Sequence, residues 1–207
     1  MASDMPPPVV GVVLAGGLSR RMGGGDKSLR LLGGRPVLAH VIERLRPQVA
    51  RLLINANGDP ARFSQFDFPI AADVVPDHPG PLAGVLTGLE WAAMEAPNCP
   101  WVVTVPGDGP FLPRDLVQWL LAVAERAGAD LATAGSGGRS HPVVGLWPIR
   151  LRHDLRRAVV EEGVRKVDEW TARHQLVGVA FDTTPIDPFF NVNRPEDLAE
   201  AERLMRR

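Results

Sequence analysis

The sequence predicts a single-domain α/β fold, a mostly parallel central sheet with helices on both faces. Three observations carry this expectation. Short β-branched apolar runs alternate with stretches of helical spacing, which is the pattern of βαβ units. The runs are nearly continuous in their apolarity, as in strands buried on both faces. The turns that hold glycine, aspartate and asparagine fall at the carboxyl ends of those runs, where open α/β sheets bind ligands. A chain of 207 residues is long enough for one such domain with a substantial core.

The elements follow in order. Val9 to Leu14 reads as a buried strand that empties into a glycine-rich loop. Pro36 to Leu45 carries Val37, Leu38, Val41, Ile42 and Leu45 at helical spacing, with Pro36 at the first helical position and Pro47 as the stop. Arg51 to Asn55 is a strand ending in the turn Asn55-Ala56-Asn57-Gly58, and a weaker strand covers Ile70 to Val75. A helix spans Leu82 to Met94, a strand Trp101 to Val105, a helix Pro113 to Ala127, and a strand Leu131 to Ala134. The second half is less regular: a strand from Val143 to Trp147, helices over Leu151 to Glu162 and Val164 to Arg173, a strand Leu176 to Phe181, and a closing helix to Met205.

Composition narrows the function classes. A formal net charge of −1 argues against a general nucleic-acid binder. The single cysteine, Cys99, excludes an internal disulfide framework and a cysteine-based metal site. No run approaches the roughly 18 apolar residues of a membrane helix. Residues 1–8 lack the basic start and apolar core of a signal peptide and read as a disordered tail before a domain over 9–207. A cytoplasmic monomer is expected.

The chemistry concentrates in Leu14-Ala15-Gly16-Gly17-Leu18-Ser19-Arg20-Arg21-Met22-Gly23-Gly24-Gly25-Asp26-Lys27. Successive glycine amides form anion-binding nests, and Arg20, Arg21 and Lys27 add full positive charge. A surface turn with charged decoration would share the glycines. The P-loop pattern fails because Asp26 precedes Lys27, and no G-x-G-x-x-G is present. Asp108, between glycines at the end of an apolar strand, suits a hard cation that needs few protein carboxylates, although a turn aspartate would look the same.

The pattern L-A-G-G-x-S-x-R-M-G-x-x-D-K resembles the signature loop of nucleotidyltransferases, and its M-G-G-x-D-K ending resembles the molybdenum cofactor guanylyltransferase family. That resemblance implies a Rossmann-like nucleotidyltransferase fold. It also implies transfer of GMP from GTP to the terminal phosphate of molybdopterin or Mo-molybdopterin, with Mg²⁺, or Mn²⁺ in its place, and release of pyrophosphate. Other proteins of cofactor biosynthesis and delivery would be partners.

By the same resemblance, Arg21, Lys27 and Asp108 are catalytic. Leu14, Ala15, Gly16, Gly17, Lys27, Asn55, Asp77, Gly80, Pro81, Leu82 and Asp108 contact the nucleotide. Asp108-Gly109-Pro110 matches a D-x-P motif that supplies the principal metal ligand, although Gly109 replaces the family's usual Met, Thr or Gln. Asn191 and Asn193, in N-V-N-R-P-E-D-L, would complete the metal and phosphate site; a helix cap is the alternative for Asn193. Arg139, His141, Arg165 and Lys166 are candidate acceptor contacts, against the plainer reading of solvated surface. Trp147 and Trp170 could stack on a pterin, though tryptophans so placed usually belong to a core. The competing readings are a related enzyme using CTP or a sugar-phosphate acceptor, and a non-catalytic nucleotide-binding partner in cofactor delivery.

Overall fold

The first apolar run folds as β1 (Val9–Leu14), and its valines divide by parity. Val9 and Val13 face one core, while Val10 and Val12 face the other. A side chain from every second residue on each face is what a strand covered on both sides requires. The computed structural model describes residues 7–16, 26–76 and 80–206.

After a small antiparallel hairpin, β2 (Leu31–Leu32) with β3 (Arg35–Pro36), the chain forms α1 (Val37–Leu45) and returns as β4 (Arg51–Asn55). Then come β5 (Ile70–Ala71), α2 (Pro81–Glu95), β6 (Trp101–Pro106) and α3 (Leu116–Ala127). The second half contributes β7 (Leu131–Ser136), β8 (Arg139–Pro148), α4 (Arg152–Val160), α5 (Val167–Thr171), β9 (Leu176–Phe181) and α6 (Pro195–Met205).

The strands form one seven-stranded sheet in the order β5-β4-β1-β6-β8-β7-β9. Its pairs are parallel except those made by β8, which runs antiparallel to both β6 and β7. Residues of α1 and α3 pack on one face, and residues of α2, α4 and α5 on the other. The chain passes from β1 outward to β4 and later returns to place β6 on the opposite side of β1. Such a reversal opens a crevice at the carboxyl ends of the strands. Among the described residues, no helix is long and apolar enough to cross a membrane.

Several elements differ from their sequence-based bounds. The strand expected over Ile70 to Val75 keeps only its first two residues. Beyond them the backbone N–H groups of Asp73 and Val74 donate to side chains, Asn57 Oδ1 at 2.8 Å and Thr87 Oγ1 at 3.0 Å, instead of to a ladder. The helix expected from Pro113 begins at Leu116, because Gln48 holds the preceding turn by donating to the Pro113 carbonyl and accepting from Val117 N–H. The helix expected over Val164 to Arg173 is a short turn, Val167–Thr171, since Val164 N–H donates back to Ala158. The strand expected from Val143 begins earlier, at Arg139, in a hairpin with β7. A 3-10 helix, Pro60–Phe66, had no sequence expectation; it drops Phe63 into the core and carries Arg62 to the crevice side.

Candidate functional site

Three strand ends and one helix start converge on a cavity of about 440 Å³. Leu14, Ala15 and Gly16 line it from the end of β1, Asn55 and Asn57 from β4, and Pro106, Gly107 and Asp108 from β6. Gly80, Pro81 and Gly84 add the start of α2, and Lys27, Ser28, Asp73 and Val143 complete the wall. The strand ends are laced together by backbone: Ala15 N–H donates to Asn55 O at 2.8 Å and Gly107 N–H to Leu14 O at 3.0 Å. The floor is thereby rigid before any ligand arrives.

Asp108 stands where β6 opens into its turn, and burial pushes its carboxyl above the usual range while the Lys27 ammonium pulls it back. A desolvated carboxylate beside a cation is suited to gain a strong ligand, because binding restores the stabilisation that water no longer gives. The loop is fixed from the far end of the chain: Val192 N–H donates to Asp108 O at 2.9 Å. That bond brings Asn191 alongside, with its Oδ1 at 3.2 Å from where a Cβ on Gly109 would stand. Asn191 Oδ1 is buried with no hydrogen-bond partner, and so is Ser28 Oγ on the cavity wall. Orphaned buried oxygens are costly, and these two have lone pairs that a ligand could use.

Lys27 Nζ donates to Asn193 Oδ1 at 2.9 Å. The helix cap that stood as the alternative for Asn193 is not made by its side chain: Arg194 is the N-cap residue, and Asp197 accepts from the N–H groups of Asn193 at 2.9 Å and Arg194 at 2.8 Å, while Asn193 Oδ1 accepts from Lys27.

At the end of β4, Asn55 spends both hydrogens of its amide on Ala71 O at 3.2 Å and Asp73 Oδ1 at 2.9 Å. Asn57 reinforces the same carboxylate, donating to Asp73 Oδ2 at 2.8 Å. Asn55 is therefore a holder of Asp73. Asp73, which sequence reasoning missed, is the acidic group on this wall. Its only sequence signal was an aspartate two residues past a short strand, in a segment otherwise read as extended. Ser28 and Asn57 were also missed, the first because serine after lysine carries no pattern of its own.

The remaining expectations divide. Leu82 is wholly buried in the core beneath α2 and its side chain does not line the cavity. Gly17, Arg21 and Asp77 lie outside the described residues. Arg139, Arg165 and Lys166 are exposed and do not line the cavity, although the Arg165 carbonyl abuts Gly80 at its rim. His141 is half-buried against the Phe189 ring and its Nε2 pairs with Ser136 Oγ at 2.8 Å. Burial holds its imidazole below the usual range, with Asp187 opposing. Trp147 and Trp170 are fully buried and donate to Thr104 Oγ1 at 2.8 Å and Asp154 Oδ2 at 3.0 Å, so neither offers a face to a ligand. Among the described residues, no group of three or more His, Cys, Asp or Glu gathers to hold a metal.

The chain is similar to known proteins in sequence and in fold. Residues 11–176 match the model of the MobA-like NTP transferase domain. A molybdenum cofactor guanylyltransferase of Nitrobacter hamburgensis is 54% identical, over 96% of this chain and 95% of that protein. The crystal structure of molybdopterin-guanine dinucleotide biosynthesis protein A from Archaeoglobus fulgidus superposes with a TM-score of 0.76 at 23% identity, covering 95% of this chain and 98% of that one. A Mycobacterium tuberculosis protein solved in complex with manganese superposes with a TM-score of 0.68 at 16% identity, covering 95% and 98%. With residues 11–176 matched by that model and more than half of its sequence identical over nearly the whole length of a relative, the chain belongs to the molybdenum cofactor guanylyltransferase family of MobA-like NTP transferases.

Proposed function

We propose that this protein joins the GMP moiety of GTP to the terminal phosphate of molybdopterin, releasing pyrophosphate, with Mg²⁺ as the bound metal and Mn²⁺ able to replace it. One observation carries the reading: a single cavity brings together the Asp108 carboxylate and the Lys27 ammonium, with the orphaned Asn191 oxygen beside the Asp108 loop.

In the reaction an oxygen of the acceptor phosphate attacks the α-phosphorus of GTP. The bond from that phosphorus to the bridging oxygen breaks, and pyrophosphate leaves with the electron pair. A phosphate monoester is already ionised at neutral pH, so no general base is needed. Catalysis then rests on positioning and charge neutralisation. Lys27 neutralises triphosphate oxygens. Asp108 and Asn191 are hard oxygen donors that fit a metal borrowing its other ligands from phosphates and water. That metal, when bound, draws charge from the triphosphate.

The nucleoside lies toward the opposite wall, where the Asp73 carboxylate, held by two amides, accepts from N–H or O–H donors of base or ribose. The acceptor enters past Val143 and the rim at Gly80, where exposed Arg165 and Lys166 add positive charge for its phosphate. The test follows the α-phosphate. Label in the α-position of GTP should appear in a molybdopterin product only with divalent metal present, and label retained in free nucleotide would refute the transfer.

A further inference from the structure

Arg62 belongs to none of the matched motifs, yet it occupies a joint of the site. Its Nη1 reaches both carboxylate oxygens of Asp26, at 2.6 and 2.5 Å, and its Nη2 donates to the carbonyl of Asn57. Nε donates to Asp59 O at 2.9 Å, and the guanidinium carbon stands 5.2 Å from the centre of the Phe63 ring. The side chain of Asp26 is only 9% exposed. With Nη1 on both oxygens of a nearly buried carboxylate and Nη2 and Nε on two backbone carbonyls, the planar fork of the guanidinium is fixed in direction as well as in distance.

The two partners lead to different residues of the cavity wall. Asp26 directly precedes Lys27, whose ammonium reaches Asn193. Asn57 grips Asp73 through a reciprocal pair, its amide donating to Asp73 Oδ2 and its carbonyl oxygen accepting from Asp73 N–H, both at 2.8 Å. One planar group thus ties the segment that carries Lys27 to the turn that holds Asp73. We propose that Arg62 is a positioning residue for nucleotide binding: by clamping Asp26 to Asn57 it sets the span between Lys27 and Asp73 across which the nucleoside triphosphate lies. The inference rests on the nucleotide-transfer reading of the cavity. It adds a residue to that reading that touches no substrate atom.

Small errors of placement at such a span weaken every contact made at both ends. Arg62→Leu keeps an apolar stem against Phe63 and removes the fork. We expect the Kd for GTP with Mg²⁺, and the KM for GTP, to rise about tenfold or more, with kcat falling less than KM rises. Arg62→Lys keeps the charge and loses the fork, so it should restore less than half of the loss on a logarithmic scale. Asp26→Asn should raise the same constant, and the double variant should be no worse than the poorer single one, the mark of a shared interaction. A merely structural arginine would instead lower the melting temperature while leaving the KM of the folded fraction unchanged.

Native GTP affinity in a folded Arg62→Leu variant, or full additivity with Asp26→Asn, overturns the clamp alone. An unmodified chain that binds no GTP overturns both the clamp and the reading beneath it.

Discussion

Lys27 and Asn193 lie 166 positions apart, and the ammonium of one donates to the amide oxygen of the other at 2.9 Å. The pair closes the crevice between the segment after β1 and the segment before α6, and it holds Lys27 beside Asp108, whose carboxyl the ammonium stabilises. The neutral amide fixes the cation in place without adding a second negative charge beside it.

Lys27→Ala should therefore lower kcat/KM about a hundredfold or more, because a preorganised cation on a transferring phosphoryl group is worth several kcal/mol. Asn193→Ala leaves the cation present but unheld and should cost less, about threefold to tenfold. Steady-state pyrophosphate release on the two folded variants checks the order. Equal losses would mean that Asn193 has a direct role of its own.

Asp108 gives a prediction of mixed sign. Its pKa in the folded protein lies above the usual value, so the folded state holds its proton more tightly than the unfolded state does. Stability then falls as pH rises from the ordinary carboxylate range through the raised value. Asp108→Asn removes that cost. The variant should melt higher than the parent at neutral pH without metal, with the difference shrinking in acid, while activity drops about a hundredfold or more. Mg²⁺ should raise the melting temperature of the parent and leave the variant unmoved. Thermal scans across pH, with and without Mg²⁺, make the comparison.

The sheet and the first and third strand ends were legible because β-branched runs such as Val9–Leu14 and Trp101–Pro106 admit one reading and their turns carry conspicuous residues. The nucleoside wall was not legible. Asp73 becomes a site residue only because Asn55 and Asn57, at the end of a different strand, reach across to it. No local pattern encodes that pairing, and Arg62 is hidden for the same reason. Leu82 stands inside a conspicuous G-P-L-A-G turn, and the helical phase of α2 directs its side chain into the core, which leaves only its backbone for a ligand. The antiparallel course of β8 likewise depends on pairing with β6 and β7, which a sequence run alone does not reveal.

Asp73→Ala tests the nucleoside wall. Removing the carboxylate leaves the amides of Asn55 and Asn57 without their acceptor and the nucleotide without its own. GTP should bind about tenfold to a hundredfold more weakly, at roughly 1–3 kcal/mol for each unpaired group. If the carboxylate reads the base, discrimination between GTP and ATP shrinks as well; if it reads ribose, both nucleotides weaken together. Titration of the two nucleotides distinguishes these outcomes, and an unchanged GTP affinity would remove Asp73 from the site.

Gly84→Ala probes the floor. An added Cβ would stand 2.5 Å from Asn55 Oδ1 and 2.8 Å from Leu14 Cδ2, both closer than real contacts allow. Either α2 lifts from β1 and β4 or Asn55 rotates away from Asp73. The expected cost is about 1–3 kcal/mol of stability, as for other overpacked sites, together with weaker nucleotide binding. Chemical denaturation and GTP titration should both register the change, and a variant native in both would contradict the packing described.

Guanylyl transfer is tested by pyrophosphate release measured with each of the four nucleoside triphosphates, with and without molybdopterin. A site whose polar groups match guanine leaves two or more of them unpaired with adenine, at roughly 1–3 kcal/mol each, enough for about a hundredfold preference. The expected result is metal-dependent release that requires molybdopterin and favours GTP over ATP by at least that factor, with CTP poor. Comparable release with CTP and GTP would contradict the guanylyl assignment while leaving nucleotidyl transfer in place, and no release with any nucleotide in the presence of molybdopterin and Mg²⁺ would contradict the account as a whole.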